Sequence, residues 1–512
     1  MNSISLINYA VFTLASSFVL TSCRDAVKKE SRNPNIVFIL ADDMGYGDPG
    51  CFNKESKIPT PNIDKLASEG IRFINAHSPD ALCSPTRYGF LTGRYCWRTR
   101  LKEGVLLGYD EAPLIETGRK TIGSVLKSRG YNTAYIGKWH LGMTWQTRDG
   151  YVIRDDRNDW NNDPAIMRSN EQHVDFTKPV TGGPTELGFD YFYGTLGCST
   201  SDPPYCFIDQ NRTVGIPSVM SPDDFSKLPG FAPGLMVPGF SLEDVDPVFT
   251  EKAMGFIKNH RDKSPDKPFF LCLALSSPHN PFLPPDFAKG KSTEGPRGDL
   301  VTVVDWSVGR IVEILKQYGL LQNTLVIVTS DNGAVRGSNG HKSEADYRGY
   351  KGNIWDGGHR IPFIASWPGK IKPGSVSSEV ISLSDMFATF ASLVSYRLSS
   401  DEGEDSHNVL PAFFGRQQDD SDTRVRVFHS AGGYFAIQKG QWKLIDGTKG
   451  SGSGKQPFPG DPVTKTGQLY NIAEDPFETN DLWEKEPIIV KELEILLETC
   501  KSGDYAGKIS KN

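Results

Sequence analysis

The run Cys83-Ser84-Pro85-Thr86-Arg87 sets a thiol and a guanidinium about one helical turn apart. Ser84 suits a helix N-cap and Pro85 the first helical position, where a missing N–H is no loss. Gly93 stands where such a helix would end. Cys83 is therefore expected just ahead of a helix N-terminus, where free amides and the positive end of the dipole favour anions and lower a thiol pKa. Arg87 adds a fixed charge that can hold a tetrahedral oxyanion through two donors.

Further reactive side chains follow apolar runs. Residues 35–40 (Asn-Ile-Val-Phe-Ile-Leu) lead into Asp42-Asp43, and residues 132–136 into Gly137-Lys138-Trp139-His140. Residues 268–275 deliver Ser277-Pro278-His279, and residues 324–329 end in Ser330-Asp331-Asn332. Lys351 follows in Arg348-Gly349-Tyr350-Lys351-Gly352. Taken singly, an Asp pair equally suits a cap or turn, and a lone His is more often structural. The runs themselves read as parallel strands buried on both faces. A doubly wound sheet brings the carboxyl ends of such strands to one edge, so the separate signals point to one site in an α/β fold.

Around these strands the spacing predicts helices over residues 61–68, 121–128, 300–318 and 384–394, and a short strand over 71–74. Residues 144–183 form a long polar stretch with Trp145, Arg154, Arg157, Trp160 and His173, a candidate specificity loop. Residues 399–423 are acidic and rich in Gly, Ser and Asp, which suggests a crossing segment. Beyond it, strand-like runs at 426–429, 434–438 and 442–445 and a final helix at 488–499 suggest a smaller C-terminal unit. The expected organisation is residues 1–23 as signal, 24–34 as tether, 35–400 as catalytic domain, 401–424 as crossing segment and 425–512 as C-terminal α+β subdomain.

With 512 residues the chain exceeds what one core usually holds. A net charge of −6 without a long basic run argues against a nucleic-acid partner, and means that an anionic substrate must be drawn by a local positive pocket. Residues 10–20 are apolar but too short to span a bilayer. They end in Leu20-Thr21-Ser22-Cys23, similar to a bacterial lipobox, although no Lys or Arg precedes them. This predicts export, acylation of Cys23 and membrane contact only through that anchor, at the periplasmic or cell surface. With Cys23 and Cys83 set aside, the remaining six cysteines show no zinc-type spacing. Cys198 and Cys206 could pair across a loop.

The Cys83 stretch closely resembles the signature of the type I sulfatases, Cys-x-Pro-x-Arg followed by Thr-Gly, here with Thr86 at a position often held by Ser. The resemblance runs from about residue 35 to 483 and includes the tail Gln468-Leu469-Tyr470-Asn471-Ile472-Ala473-Glu474-Asp475-Pro476. It implies an alkaline phosphatase-like fold: a large mixed, mostly parallel sheet sandwiched by helices, with a smaller C-terminal α+β subdomain. It also implies that a maturase oxidises Cys83 to formylglycine (3-oxoalanine), whose hydrate is the nucleophile. Asp42, Asp43, Asp331, Asn332 and residue 83 would hold one calcium ion, and such oxygen ligands suit a hard cation rather than zinc. By the same resemblance Arg87, Lys138 and Lys351 would bind sulfate, His140 the hydrated aldehyde, and His279, as imidazolium, the leaving oxygen. His173, Ser199, Asp202 and Arg360 are candidate substrate contacts. Asp356 stands where the family commonly has Glu, with little effect expected.

The function so implied is hydrolysis of sulfate monoesters, on a sulfated saccharide of the glycosaminoglycan type. Two alternatives stay open at this point: a phosphonate or phosphate ester hydrolase of the same superfamily, and a non-catalytic glycan-binding lipoprotein with unmodified Cys83.

Overall fold

A strand whose residues Ile36 to Ala41 are all apolar must be covered on both sides, and two helical layers cover it. The computed structural model describes residues 33–109, 112–153, 164–416, 424–446 and 467–503. The expected signal with Cys23, most of the tether, Arg154, Arg157, Trp160 and part of the crossing segment lie outside the described residues.

Five strands form the centre of the main sheet: β1 (Asn35–Ala41), β2 (Asn132–Lys138), β3 (Tyr191–Thr195), β4 (Phe269–Ala274) and β5 (Thr324–Ser330). They run parallel in the order β5-β1-β4-β2-β3. Phe363–Ser366 pairs antiparallel outside β5, and Ile208–Asp209 antiparallel outside β3, so the sheet is mixed. Alternation sorts the side chains: Ile36, Phe38 and Leu40 join one core, and Val37, Ile39 and Ala41 the other. The first core is closed by helices Cys83–Thr92, Ile122–Ser128 and Met386–Leu393, the second by Pro61–Ser68, Val245–Lys263 and Pro296–Gln317.

The helix expected from residue 300 starts a turn earlier, at Pro296, whose fixed φ favours a first helical position before apolar spacing begins. Strand β3 was not anticipated. Its signal is the β-prone run Tyr191-Phe192-Tyr193 after Gly188.

A second sheet, Val425–His429, Phe435–Lys439, Trp442–Asp446 and Gly467–Asn471, is antiparallel in that order. The helix Pro487–Ser502 packs on it, and Tyr95 and Trp97 from the main layer complete its core. The hydroxyl of Tyr95 accepts from Val427 N at 3.0 Å, so the small sheet is tied to the segment that follows the Cys83 helix.

Candidate active site

Because β1 and β5 are parallel neighbours, the residues that follow them emerge side by side. Asp331 N donates to Ala41 O at 3.1 Å, and Asp43 N to Asp331 Oδ1 at 3.2 Å. Asn332 Nδ2 donates to Asp43 Oδ1 at 2.7 Å. Asp43 takes a left-handed φ of 68°, and His140 one of 57°, a conformation that costs a non-glycine residue energy and marks a backbone held by its surroundings. Strand β4 leads to His279 through a loop fixed by Asp246, whose carboxylate accepts from Ser276 N at 2.7 Å and Ser277 N at 2.8 Å. Strand β2 supplies Lys138 and His140 from the same edge.

The helix opposite begins at Cys83 itself, with extended Leu82 as its cap. Ser84 is not the cap: it is buried inside the first turn, where its hydroxyl accepts from Leu106 N at 3.2 Å. Gly93 ends the helix with φ 65°, as expected. The lowered thiol pKa anticipated for Cys83 is not found. Burial pushes it up, and Lys138 and Lys351 only partly oppose that.

Three carboxylates face three cations. Lys138 Nζ is bonded to Asp42 Oδ2, Lys351 Nζ lies 2.7 Å from Asp43 Oδ2, and Arg87 Nη2 lies 2.7 Å from Asp331 Oδ2. Burial alone would raise the Asp42 carboxyl, but Lys138, His279, Arg87 and Lys351 together hold it well below the usual range. Arg87 is fully buried: Nε also reaches Asp331 Oδ2 at 3.0 Å and Nη1 donates to Lys138 O at 2.7 Å. Its fork therefore clamps Asp331 and the end of β2, not the open face expected for an oxyanion.

His140 Nε2 meets Leu106 O at 2.7 Å; the carbonyl can only accept, so Nε2 carries the hydrogen. The other nitrogen, Nδ1, is buried without a partner, and burial beside Lys138 lowers the ring pKa to about 3. By the same reasoning His279 Nδ1 donates to Asn280 O at 2.5 Å. Burial, with Lys351, lowers this ring to about 4, so it is neutral near pH 7, not the imidazolium expected.

Asp42 Oδ1 and Asn332 Oδ1 are buried acceptors with no hydrogen-bond partner. Two acceptor oxygens left open among three carboxyl side chains fit a hard divalent cation, although burial, with Asp42, pushes the Asp331 carboxyl up against the opposing pull of Arg87. Ligand atoms of Asp42, Cys83 and Asp331 lie within 4.8 Å of one another, as do those of Asp42, Asp43 and His279. Asp42, Asp43, Asp331 and Asn332 would thus hold the ion, with residue 83 beside it.

Of the outer candidates, Asp202 lies beside the centre, its Oδ2 3.9 Å from His140 Nε2. His173 stacks on Tyr151 and pairs with Asp149 at 2.7 Å. Ser199 Oγ shares a hydrogen with Thr195 Oγ1 at 2.7 Å, and Asp202 Oδ2 accepts from Cys198 N at 3.0 Å. Arg360 is buried against Asp356 at 2.8 Å and Tyr347. Asp356, which stands where the family commonly has Glu, is a node: Lys443 Nζ from the small sheet reaches its Oδ1 at 2.7 Å, and its N–H donates to Glu478 Oε2 at 2.6 Å. Cys198 is not joined to Cys206; its sulfur lies 3.0 Å from Lys138 Nζ. Nothing in the sequence marked that thiol as part of the site, since the aromatic strand that aims it was unrecognised.

The family model described as Sulfatase matches residues 34–396. An N-acetylgalactosamine-6-O-sulfatase of Bacteroides thetaiotaomicron is 32% identical over 94% of this chain and 97% of its own length. Human steryl-sulfatase is 31% identical over 80% of this chain and 74% of its own. A solved structure from work on glycosaminoglycan metabolism by Bacteroides thetaiotaomicron superposes with a TM-score of 0.77 at 31% identity, covering 92% of this chain and 100% of that one.

Proposed function

The chain belongs to the sulfatase family of the alkaline phosphatase superfamily, and from that premise we propose that it releases sulfate from sulfated saccharides at the Cys83 centre. We propose calcium as the resident ion, formylglycine as the mature form of residue 83, and a dedicated maturase as the enzyme that makes it. The observation that carries this reading is the convergence of Cys83, Asp42, Asp331, Lys138 and Lys351 around open acceptor oxygens. The saccharide class is supported by the relative named for N-acetylgalactosamine 6-sulfate.

The centre holds no more carboxyl groups than cations, so a divalent ion would leave the pocket positive within an acidic protein, the local attraction that a sulfate ester needs. When bound beside Asp42, Asp43, Asp331 and Asn332, calcium would supply positive charge against the developing oxyanion, and the water-hydrated aldehyde at residue 83 would supply the nucleophilic hydroxyl and a route to release sulfate as the carbonyl re-forms. Lys138 and Lys351 neutralise sulfate oxygens that would otherwise repel the nucleophile. Arg87 holds Asp331 and the backbone of Lys138 in register. His140, with its hydrogen fixed on Leu106 O, offers Nδ1 as a hydrogen-bond acceptor for the residue 83 hydroxyl. His279 is neutral in the free protein; an anionic ester against it raises its proton affinity, so that it can pass a proton to the leaving alcohol, a step worth roughly 10²–10⁴-fold.

Among the described residues no helix is long and apolar enough to cross a membrane. We propose export and tethering through Cys23 on the strength of residues 10–23 alone. The test of function is release of inorganic sulfate from a 6-O-sulfated N-acetylhexosamine or an aryl sulfate. Wild-type turnover that disappears in Cys83→Ala supports the reading, and equal turnover in the variant overturns it.

A further inference from the structure

Resting on the sulfatase reading, we propose that Asp246 is a positioning residue for proton delivery to the leaving alcohol: it fixes the short backbone frame from which His279 reaches the centre. The frame is Ser276-Ser277, between β4 and His279. All of its backbone polar groups are engaged. Asp246 Oδ1 accepts from Ser276 N at 2.7 Å, and Oδ2 from Ser277 N at 2.8 Å. Ser276 O accepts from His279 N at 3.0 Å, and Ser277 O from Asp42 N at 3.0 Å. One carboxylate thus holds the dipeptide whose carbonyls hold the histidine and an aspartate of the centre.

The ring takes its aim from that backbone. Its Nδ1 donates to Asn280 O, the next residue, at 2.5 Å, so this bond travels with the turn and does not anchor it. Its Nε2 lies 3.9 Å from Asp43 Oδ2 and faces the centre. Asp246, Ser276, Ser277 and His279 line one small cavity, so the turn has room to shift when a bond is lost.

The residue type suits the task. Asp246 is 4% exposed, and burial beside the charge of Asp42 pushes its carboxyl up. The two N–H donors oppose that, as does the positive end of the helix Val245–Lys263, whose first turn Asp246 occupies. An apolar residue would fill the space but leave both N–H groups unpaired. An amide would offer one acceptor oxygen where two adjacent donors need two.

The test uses the full matured chain with two substrates. Nitrophenyl sulfate has a phenolate that leaves with little proton help, whereas a 6-O-sulfated N-acetylhexosamine has an alkoxide that needs it. Wild type, Asp246→Asn, His279→Ala and the double variant are compared at saturating calcium, so that an effect on ion binding through Asp42 drops out. Aldehyde occupancy at residue 83 and the thermal midpoint are measured for each. Asp246→Asn should lose roughly tenfold to a hundredfold in kcat/KM on the sugar sulfate, and less than about threefold on the aryl sulfate. In the His279→Ala background the same substitution should change the rate by less than about twofold. Equal loss on both substrates, or a full loss added to that of His279→Ala, overturns the proposal. Asp246→Ser, which also keeps one acceptor, stands in if the Asn variant does not fold. Failure of both to fold assigns Asp246 to the fold alone and overturns the proposal. A wild-type enzyme that carries the aldehyde and releases sulfate from neither substrate overturns the sulfatase reading itself, and the proposal with it.

Discussion

Lys351 Nζ donates to Asp43 Oδ2 at 2.7 Å across 308 residues of sequence. The pair joins the β1 edge to a loop that the small sheet braces: Gly352 N donates to Ala81 O at 2.9 Å, and Ala431 N to Gly352 O at 3.1 Å. The same clamp therefore fixes the Cys83 approach, the Lys351 loop and the end of strand Val425–His429. Charge balance at the centre depends on all three.

Adding a divalent ion to this centre should stabilise the fold as well as activate it. Binding to the native state alone contributes about 2.7 kcal/mol when the ion is at 100 times its dissociation constant. Chelation should lower the melting temperature and abolish sulfate release, with calcium restoring both. In Asp42→Asn, which keeps the shape but loses a charge and the Lys138 partner, calcium should no longer raise the melting temperature. Calorimetry with and without chelator checks this, and identical curves for the wild type would contradict it.

Acid should weaken the fold through histidines buried as neutral rings. Burial, helped by Arg426, holds His407 to about 4, and burial beside Lys138 holds His140 to about 3, against an ordinary value of 6.5. The unfolded chain takes up protons below pH 6.5 that the fold refuses. Stability is thus full above pH 6.5 and falls as pH drops towards about 4 for His407 and about 3 for His140. For His407 the loss is on the order of 3 kcal/mol. His407→Gln should give a shallower fall of melting temperature between pH 6.5 and 4, and parallel curves would count against this account.

Lys443 should be a large single contributor to stability. It is fully buried, with Asp356 Oδ1 and Glu478 Oε1 each 2.7 Å from its ammonium. Lys443→Met leaves Glu478 buried without its cation and Asp356 with Arg360 alone, and breaking a buried pair in this way costs about 3–5 kcal/mol. Denaturant unfolding reads the loss directly. An unchanged midpoint would show that the node is not structural.

What could be seen beforehand follows from range. The strands at residues 35–40, 132–136, 268–275 and 324–329 were legible because continuous apolar character is local, and parallel packing then brings Asp42, Lys138, His279 and Asp331 to one edge. The cap at Ser84 was misread because its hydroxyl serves Leu106, a partner 22 residues away. The role of Asp356 as a node was not legible because Lys443 and Glu478, its partners, lie 87 and 122 residues further on. The pKa of Cys83 depends on burial, which no five-residue motif carries. Cys198 needed the register of β3 against β2, set by Lys138 opposite Thr195.

The chemical state of residue 83 is the most direct test. Mass spectrometry of the peptide spanning Leu82 to Arg87, from protein matured in its own host, should show the aldehyde, lighter than the thiol and captured by a hydrazide. An intact thiol at residue 83 in protein that still releases sulfate would contradict the account.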